Sequence, residues 1–215
     1  MGRRAGPKIP ARPPEGGMDL YGLKPAIVRG LDPLLDLLAR ARVSPDAVTL
    51  AAVPIGAIGG AAILASPRTP ALLLLVPLTA TLRLVCNLLD GALARRTGRV
   101  HPRGELYNEV GDRLADVLML APVALLPGID GPVVWLGVVL AVLASFTSVA
   151  TRAAGGRRTY RGILSKPGRM VLLSAFAIAV LVVGPDAWAP FGPLLVIGAG
   201  LTVAERVVVA LRELP

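Results

Sequence analysis

Apolar stretches of near-membrane length recur six times in this chain, and that recurrence removes most folds from consideration. They run Ala47–Ser66, Ala71–Ala94, Glu105–Leu126, Pro132–Thr151, Pro167–Gly184 and Ala189–Leu211. A helix of roughly 20 apolar residues crosses the hydrocarbon core of a bilayer. Backbone polar groups in lipid must be satisfied within the segment, so at these lengths each stretch is expected to be a helix. The first and fourth carry no charge, and the fifth is the shortest. The expected fold is all-α, an integral membrane bundle of six transmembrane helices.

The loops give a direction. Around 67–69, 127–131 and 185–190 there is one basic residue, Arg68. The other side carries Arg40 and Arg42, then Arg95, Arg96, Arg99 and Arg103, then Arg157, Arg158, Arg161 and Lys166. The positive-inside bias therefore puts both termini on the cytoplasmic side of the cell membrane. An even number of crossings agrees.

Residues Met1–Gly17, rich in Pro, Gly and Arg, lack the apolar core of a signal peptide and are expected to be a disordered cytoplasmic tail. From 18 to 215 the expectation is a single membrane domain. Its first part, 18–42, repeats Leu31, Leu34, Leu35 and Leu38 at helical spacing beside Asp32, Asp36 and Arg40, the pattern of an interfacial amphipathic helix. The six-helix part occupies 43–215. Ser44-Pro45-Asp46 opens its first span with a hydroxyl cap, a proline at the first helical position and an acid in the first turn.

Composition narrows the class further. A net charge of +9 on a chain that is 54% hydrophobic suits loops facing anionic lipid, not a soluble nucleic-acid binder. Aromatic residues are only 4% of the chain, too few for base-stacking platforms. Cys86 is alone, which excludes a disulfide framework or a zinc site and makes it a small core residue.

Against this apolar background, Asn87–Asp116 is dense in ionisable groups. Residues three and four apart share a helix face. Arg83, Asn87, Asp90 and Ala94 make one stripe; Gly104, Asn108, Asp112 and Asp116 make another. Both lie at the cytoplasmic ends of adjacent antiparallel helices, where they can face each other across a cleft. Gly91 and Ala94 remove bulk beside Asp90. Oxygen donors without His or Cys point to a hard cation, Mg²⁺ or Mn²⁺.

The stretch 87–112 resembles the signature of the CDP-alcohol phosphotransferase (CDP-alcohol phosphatidyltransferase) family, D-x-x-D-G-x-x-A-R-x₈-G-x-x-x-D-x-x-x-D. Asp90-Gly91, Ala94-Arg95, Gly104 and Asp112 fall on it with the eight-residue gap Arg96–Arg103 intact; Asn87 and Asn108 stand at the first and third acidic positions. The resemblance implies transfer of a substituted phosphate from a CDP-alcohol, such as CDP-diacylglycerol, to an alcohol acceptor in phospholipid synthesis, with release of CMP. It implies one or two divalent ions and a site open to the cytoplasm; many relatives pair as homodimers. Carried over, Asp90 is a metal ligand and Asp112 a metal ligand or the catalytic base. Gly91, Ala94, Arg95 and Gly104, with Asn87 and Asp90, shape the CDP pocket.

The chemistry fits this assignment. Phosphoryl-type transfer needs charge neutralisation and an aligned hydroxyl more than a covalent nucleophile, and a nearby carboxylate to take the proton. The two asparagines remove two negative charges, each attraction worth on the order of 4 kcal/mol at about 4 Å and an effective dielectric near 20. Their amide oxygens still coordinate a cation, and Glu109, about a quarter-turn from Asn108, and Asp116, one turn beyond Asp112, are the acids near enough to compensate. The expected metal set is thus Asp90, Asp112, Asn87, Asn108 and Glu109.

Arg83, inside an apolar span, reads equally as a structural ion pair or a phosphate contact. In the second basic cluster Lys166 and Arg169, with Arg152 as a third, are the expected phosphate-binding cations. His101 is expected to be solvated, and Glu205-Arg206 to mark the end of the last span. Two rivals come from other classes. A catalytically lapsed lipid-binding or scaffold protein would leave Asn87 and Asn108 without consequence. A cation transporter would hold its acids near the bilayer midplane, not at one end.

Overall fold

A computed structural model describes residues 30–214, so the expected tail and the first part of the interfacial helix lie outside the described residues. Among the described residues every regular element is helical. In chain order they are α1 (Asp32–Arg40), α2 (Pro45–Ala65), α3 (Leu75–Arg96), α4 (Pro102–Leu120), α5 (Gly131–Ala153), α6 (Lys166–Val183) and α7 (Phe191–Glu213). Short 3₁₀ turns begin at Pro70, Ala121 and Pro185.

Among the described residues five stretches are long and apolar enough to cross a membrane: Pro45–Ala65, Pro70–Arg96, Gly131–Ala153, Lys166–Val183 and Pro185–Glu213. The third expected span differs. Its helix, α4, is 19 residues long but carries Arg103, Glu105, Glu109, Asp112, Arg113 and Asp116, so apolar composition alone does not qualify it. Its acids are paired: Glu105 with Arg152 of α5, Asp112 with Lys166 of α6, Asp116 with Arg83 of α3 and Arg169 of α6, and Glu109 with Arg113 of the same helix and Arg158 of the loop before α6.

Ser44 caps α2 as the sequence predicts, its side chain accepting from the Ala47 amide at 3.1 Å. The small residues of α2 let α3 and α4 approach closely. A Cβ at Gly56 would lie 3.0 Å from the Ala115 carbonyl oxygen, and one at Gly60 would run into that of Leu118. This contact holds the polar helix α4 against the bundle.

Away from the site the core is apolar, built from residues such as Ile63, Leu73, Met119, Leu120, Leu173 and Leu195. There Phe176, Trp188 and Phe191 pack with ring centroids 5.5–6.2 Å apart. A smaller cluster, Leu35, Val48, Leu89, Ala92 and Leu93, seats α1 on α3. Arg96 ties the same two helices through Asp32 at 3.1 Å and Asp36 at 2.5 Å.

Candidate active site

A cleft of about 1030 Å³ opens between α2, α3, α4 and the start of α6. Its lining includes Asn87, Asp90, Gly91, Ala94, Arg95, Gly104, Asn108, Glu109, Asp112 and Lys166. The two helical stripes therefore do converge, because α3 and α4 run antiparallel with their signature ends together.

The amides cross-link the stripes. Asn87 on α3 donates from Nδ2 to Asp112 Oδ1 on α4 at 2.7 Å. Asn108 on α4 donates from Nδ2 to Asp90 Oδ2 on α3 at 3.2 Å. Thr49, one turn into α2, donates to the same Asp90 oxygen at 2.9 Å, and the Gly91 amide donates to Asp90 Oδ1 at 2.5 Å. Lys166 Nζ, at the first residue of α6, lies 2.5 Å from Asp112 Oδ1. Thr49 escaped the sequence reading because a lone threonine in an apolar span looks like a helix residue bonding to its own backbone. It does that too, reaching the Pro45 carbonyl at 3.2 Å.

One turn deeper lies a different layer. Asp116 takes Arg83 on Oδ1 at 2.8 Å and Arg169 on Oδ2 at 2.6 Å. Both arginines are buried, at 0% and 1% exposure. Arg83 also donates to the Asp112 carbonyl at 3.3 Å and rests against the sulfurs of Met119 and Met170. Arg169 donates to the Leu164 carbonyl at 3.1 Å. Arg83 thus stands in an ion pair with Asp116, the partner that one of its two readings expects.

Several sequence-predicted residues stand elsewhere than the chemistry asked. Glu109 lines the cleft, but its carboxylate is held by Arg113 and Arg158. Arg169 and Arg83 are committed to Asp116 and do not line the cleft, and Arg152 pairs with Glu105 on the exposed surface. Only Lys166, of the four expected phosphate contacts, faces the cleft. His101 is not merely solvated: its Nδ1 accepts from the Gly104 amide at 3.0 Å, capping α4, and its Nε2 is 3.3 Å from Asp46. Arg206 is buried and donates to the carbonyls of Arg161 and Ala144, fastening the basic loop to α7.

Among the described residues no three His, Cys, Asp or Glu side chains converge as a metal cluster. The donor set is two carboxylates and two amides. With their nitrogens on Asp112 and Asp90, the amide oxygens of Asn87 and Asn108 accept no hydrogen bond from a described residue, and neither does Asp112 Oδ2. Unclaimed hard oxygens beside two carboxylates fit a divalent cation.

The profile of the CDP-alcohol phosphatidyltransferase family matches residues 42–209. The inner membrane protein YnbA of Escherichia coli K12 is 29% identical over 165 residues, spanning 77% of this chain and 82% of that protein. Crystal structures of Mycobacterium tuberculosis phosphatidylinositol phosphate synthase share the fold. The form with CDP-DAG bound has a TM-score of 0.68 at 19% identity, covering 83% of this chain and 92% of that one. The complex with manganese and citrate has a TM-score of 0.69 at 20% identity, covering 83% and 88%.

Proposed function

The chain belongs to the CDP-alcohol phosphatidyltransferase family, and from that premise we propose that it moves a substituted phosphate, of phosphatidyl type, from a CDP-diacylglycerol-like donor to an alcohol and releases CMP. The observation that carries this reading is the convergence of Asp90 and Asp112, each held by an asparagine from the opposite helix, in one large cleft beside Lys166.

In this reading the donor's cytidine diphosphate lies along Asn87, Asp90, Gly91, Ala94, Arg95 and Gly104. Its acyl chains follow the apolar part of the lining, Leu84, Leu88 and Val171 on α3 and α6. A donor of this class suits the fold, since a similarly folded protein has CDP-DAG bound. Asp112 presents Oδ2 to the acceptor and takes the hydroxyl proton, while Lys166 and Asn87 fix its other oxygen. The acceptor oxygen bonds to the phosphorus that carries the lipid, and the bond from that phosphorus to the oxygen of CMP breaks. Lys166 faces the charge that collects on the departing phosphate. A divalent ion, when bound by Asp90 and Asp112 with the two amide oxygens, supplies further neutralisation of that charge.

α4 is the sixth crossing, since its inward charges are paired with Arg83, Arg158, Lys166 and Arg169 instead of facing lipid. The arginines at 95, 96, 99 and 103 gather at the cleft end of the bundle, which the positive-inside bias makes cytoplasmic. α1, with Leu34 and Leu37 exposed beside its tie to Arg96, lies on that leaflet.

Purified protein incubated with CDP-diacylglycerol, Mg²⁺ or Mn²⁺ and a panel of free and phosphorylated alcohols tests the proposal. CMP and a new lipid mass are expected together. No CMP from any CDP-alcohol donor would leave the lapsed, scaffold reading standing.

A further inference from the structure

The cleft is short of negative charge for its shape. Four residues face one another across α3 and α4, yet only Asp90 and Asp112 are acids, and the Lys166 ammonium already sits on Asp112. The two carboxylates and the lysine sum to a single negative charge. Four acids around the same lysine would carry three.

We infer that this cleft takes one divalent cation, held by Asp90 and Asp112 with the amide oxygens of Asn87 and Asn108, and that Lys166 stands as the second, built-in positive charge. This rests on the reading of the cleft as a diphosphate site. A diphosphate diester brings two negative charges. With one divalent ion the assembled site is left at one negative charge, the value that four acids reach only with two ions. A second ion here would leave the site net positive, beside Lys166 and Arg95, and the other acids of the lining, Asp46, Glu105 and Glu109, already face His101, Arg152, and Arg113 with Arg158. Like charges in a partly desolvated cleft repel strongly, so that ion has no stable place.

The asparagines do more than lower the charge. Each spends its nitrogen on the carboxylate opposite, so the α3–α4 pair is tied before any ion arrives. Two aspartates at 87 and 108 would instead set like charges face to face, and would need cations to hold the helices together. Glu109 does not restore the count, because Arg113 and Arg158 occupy it.

Counting Mn²⁺ bound to the full chain in detergent, by electron paramagnetic resonance of the free ion, tests this without any turnover. One ion per chain is expected, and it is lost in Asp90→Asn. Asn87→Asp/Asn108→Asp is expected to bind two, with Asn108→Asp alone as the check should the double variant fold poorly. Lys166→Met is expected to tighten Mn²⁺ binding by about tenfold, through removal of a neighbouring positive charge. Two Asp90-dependent ions in the wild-type protein, or none, overturn the inference. So does an aspartate variant that folds and gains no ion. CMP release read on the same samples separates the two claims. Two ions with intact release sink the single-ion site and spare the transferase; one ion with no release does the reverse.

Discussion

Asp112 and Asp116 sit one turn apart on the same face of α4, and their surroundings could hardly differ more. Asp116 has a guanidinium on each oxygen, from Arg83 of α3 and Arg169 of α6, is buried, and does not line the cleft. Asp112 has Lys166 and Asn87 on one oxygen and leaves the other to the cleft. The deeper layer carries two cations against one acid, so it holds three helices together and has no valence to spare. The upper layer keeps unclaimed oxygens on Asn87, Asn108 and Asp112. One turn of helix separates a fastening from the proposed reaction site, and the difference is set by which neighbours supply the partners.

That contrast breaks most readily at its two acids. Asp112→Asn is expected to lower CMP release by 10²- to 10⁴-fold, the usual reach of a general base, while the protein stays folded at a cost of about 1–2 kcal/mol. Unimpaired release by this variant would mean the proton goes elsewhere. Asp116→Ala is expected to act the other way. It strands Arg83 and Arg169 in the core, and breaking a buried ion pair costs about 3–5 kcal/mol, read as a large drop in the thermal midpoint in detergent. A variant as stable as the parent would show that the deep layer is not the fastening described here.

Local spacing made part of this legible. The three-and-four rule put Asn87 with Asp90 and Asn108 with Asp112, and those pairs do meet in one cleft. Apolar segment lengths anticipated the helices, and Ser44-Pro45-Asp46 the start of α2. What spacing cannot supply is the partner from far along the chain. Arg169 reaches Asp116 across 53 positions, and Arg158 reaches Glu109 across the loop that precedes α6. So the stripe rule ranked Asp112 and Asp116 alike, and nearness to the stripe alone set Glu109 among the metal ligands. The basic cluster misled for the same reason: Lys166, Arg169 and Arg152 look equivalent in sequence, yet they end in the cleft, in the core and on the surface.

Glu109 sharpens the boundary between the layers because it touches the cleft without being free. Glu109→Gln is expected to leave CMP release and Mn²⁺ affinity near the parent values but to cost about 1–3 kcal/mol, since the carboxylate and both arginines are largely buried and lose a charged partner. A loss beyond about tenfold in Mn²⁺ affinity, the size a missing ligand charge would give, would put Glu109 at the ion after all.

The smallest effect is expected at Arg152, the basic residue farthest in character from Lys166. Its pair with Glu105 is half exposed on both sides, at 56% and 49% of side-chain area, so water and salt screen it and two long side chains lose freedom to form it. Arg152→Ala should cost less than about 1 kcal/mol and leave the acceptor KM unchanged. Lys166→Ala should raise that KM or cut kcat, because the ammonium faces the cleft within 2.5 Å of Asp112. If Arg152→Ala alone raised the acceptor KM, the acceptor's anion would extend out of the cleft toward the α4–α5 surface. The short list of cleft cations would then have to grow outward, not downward toward Arg169.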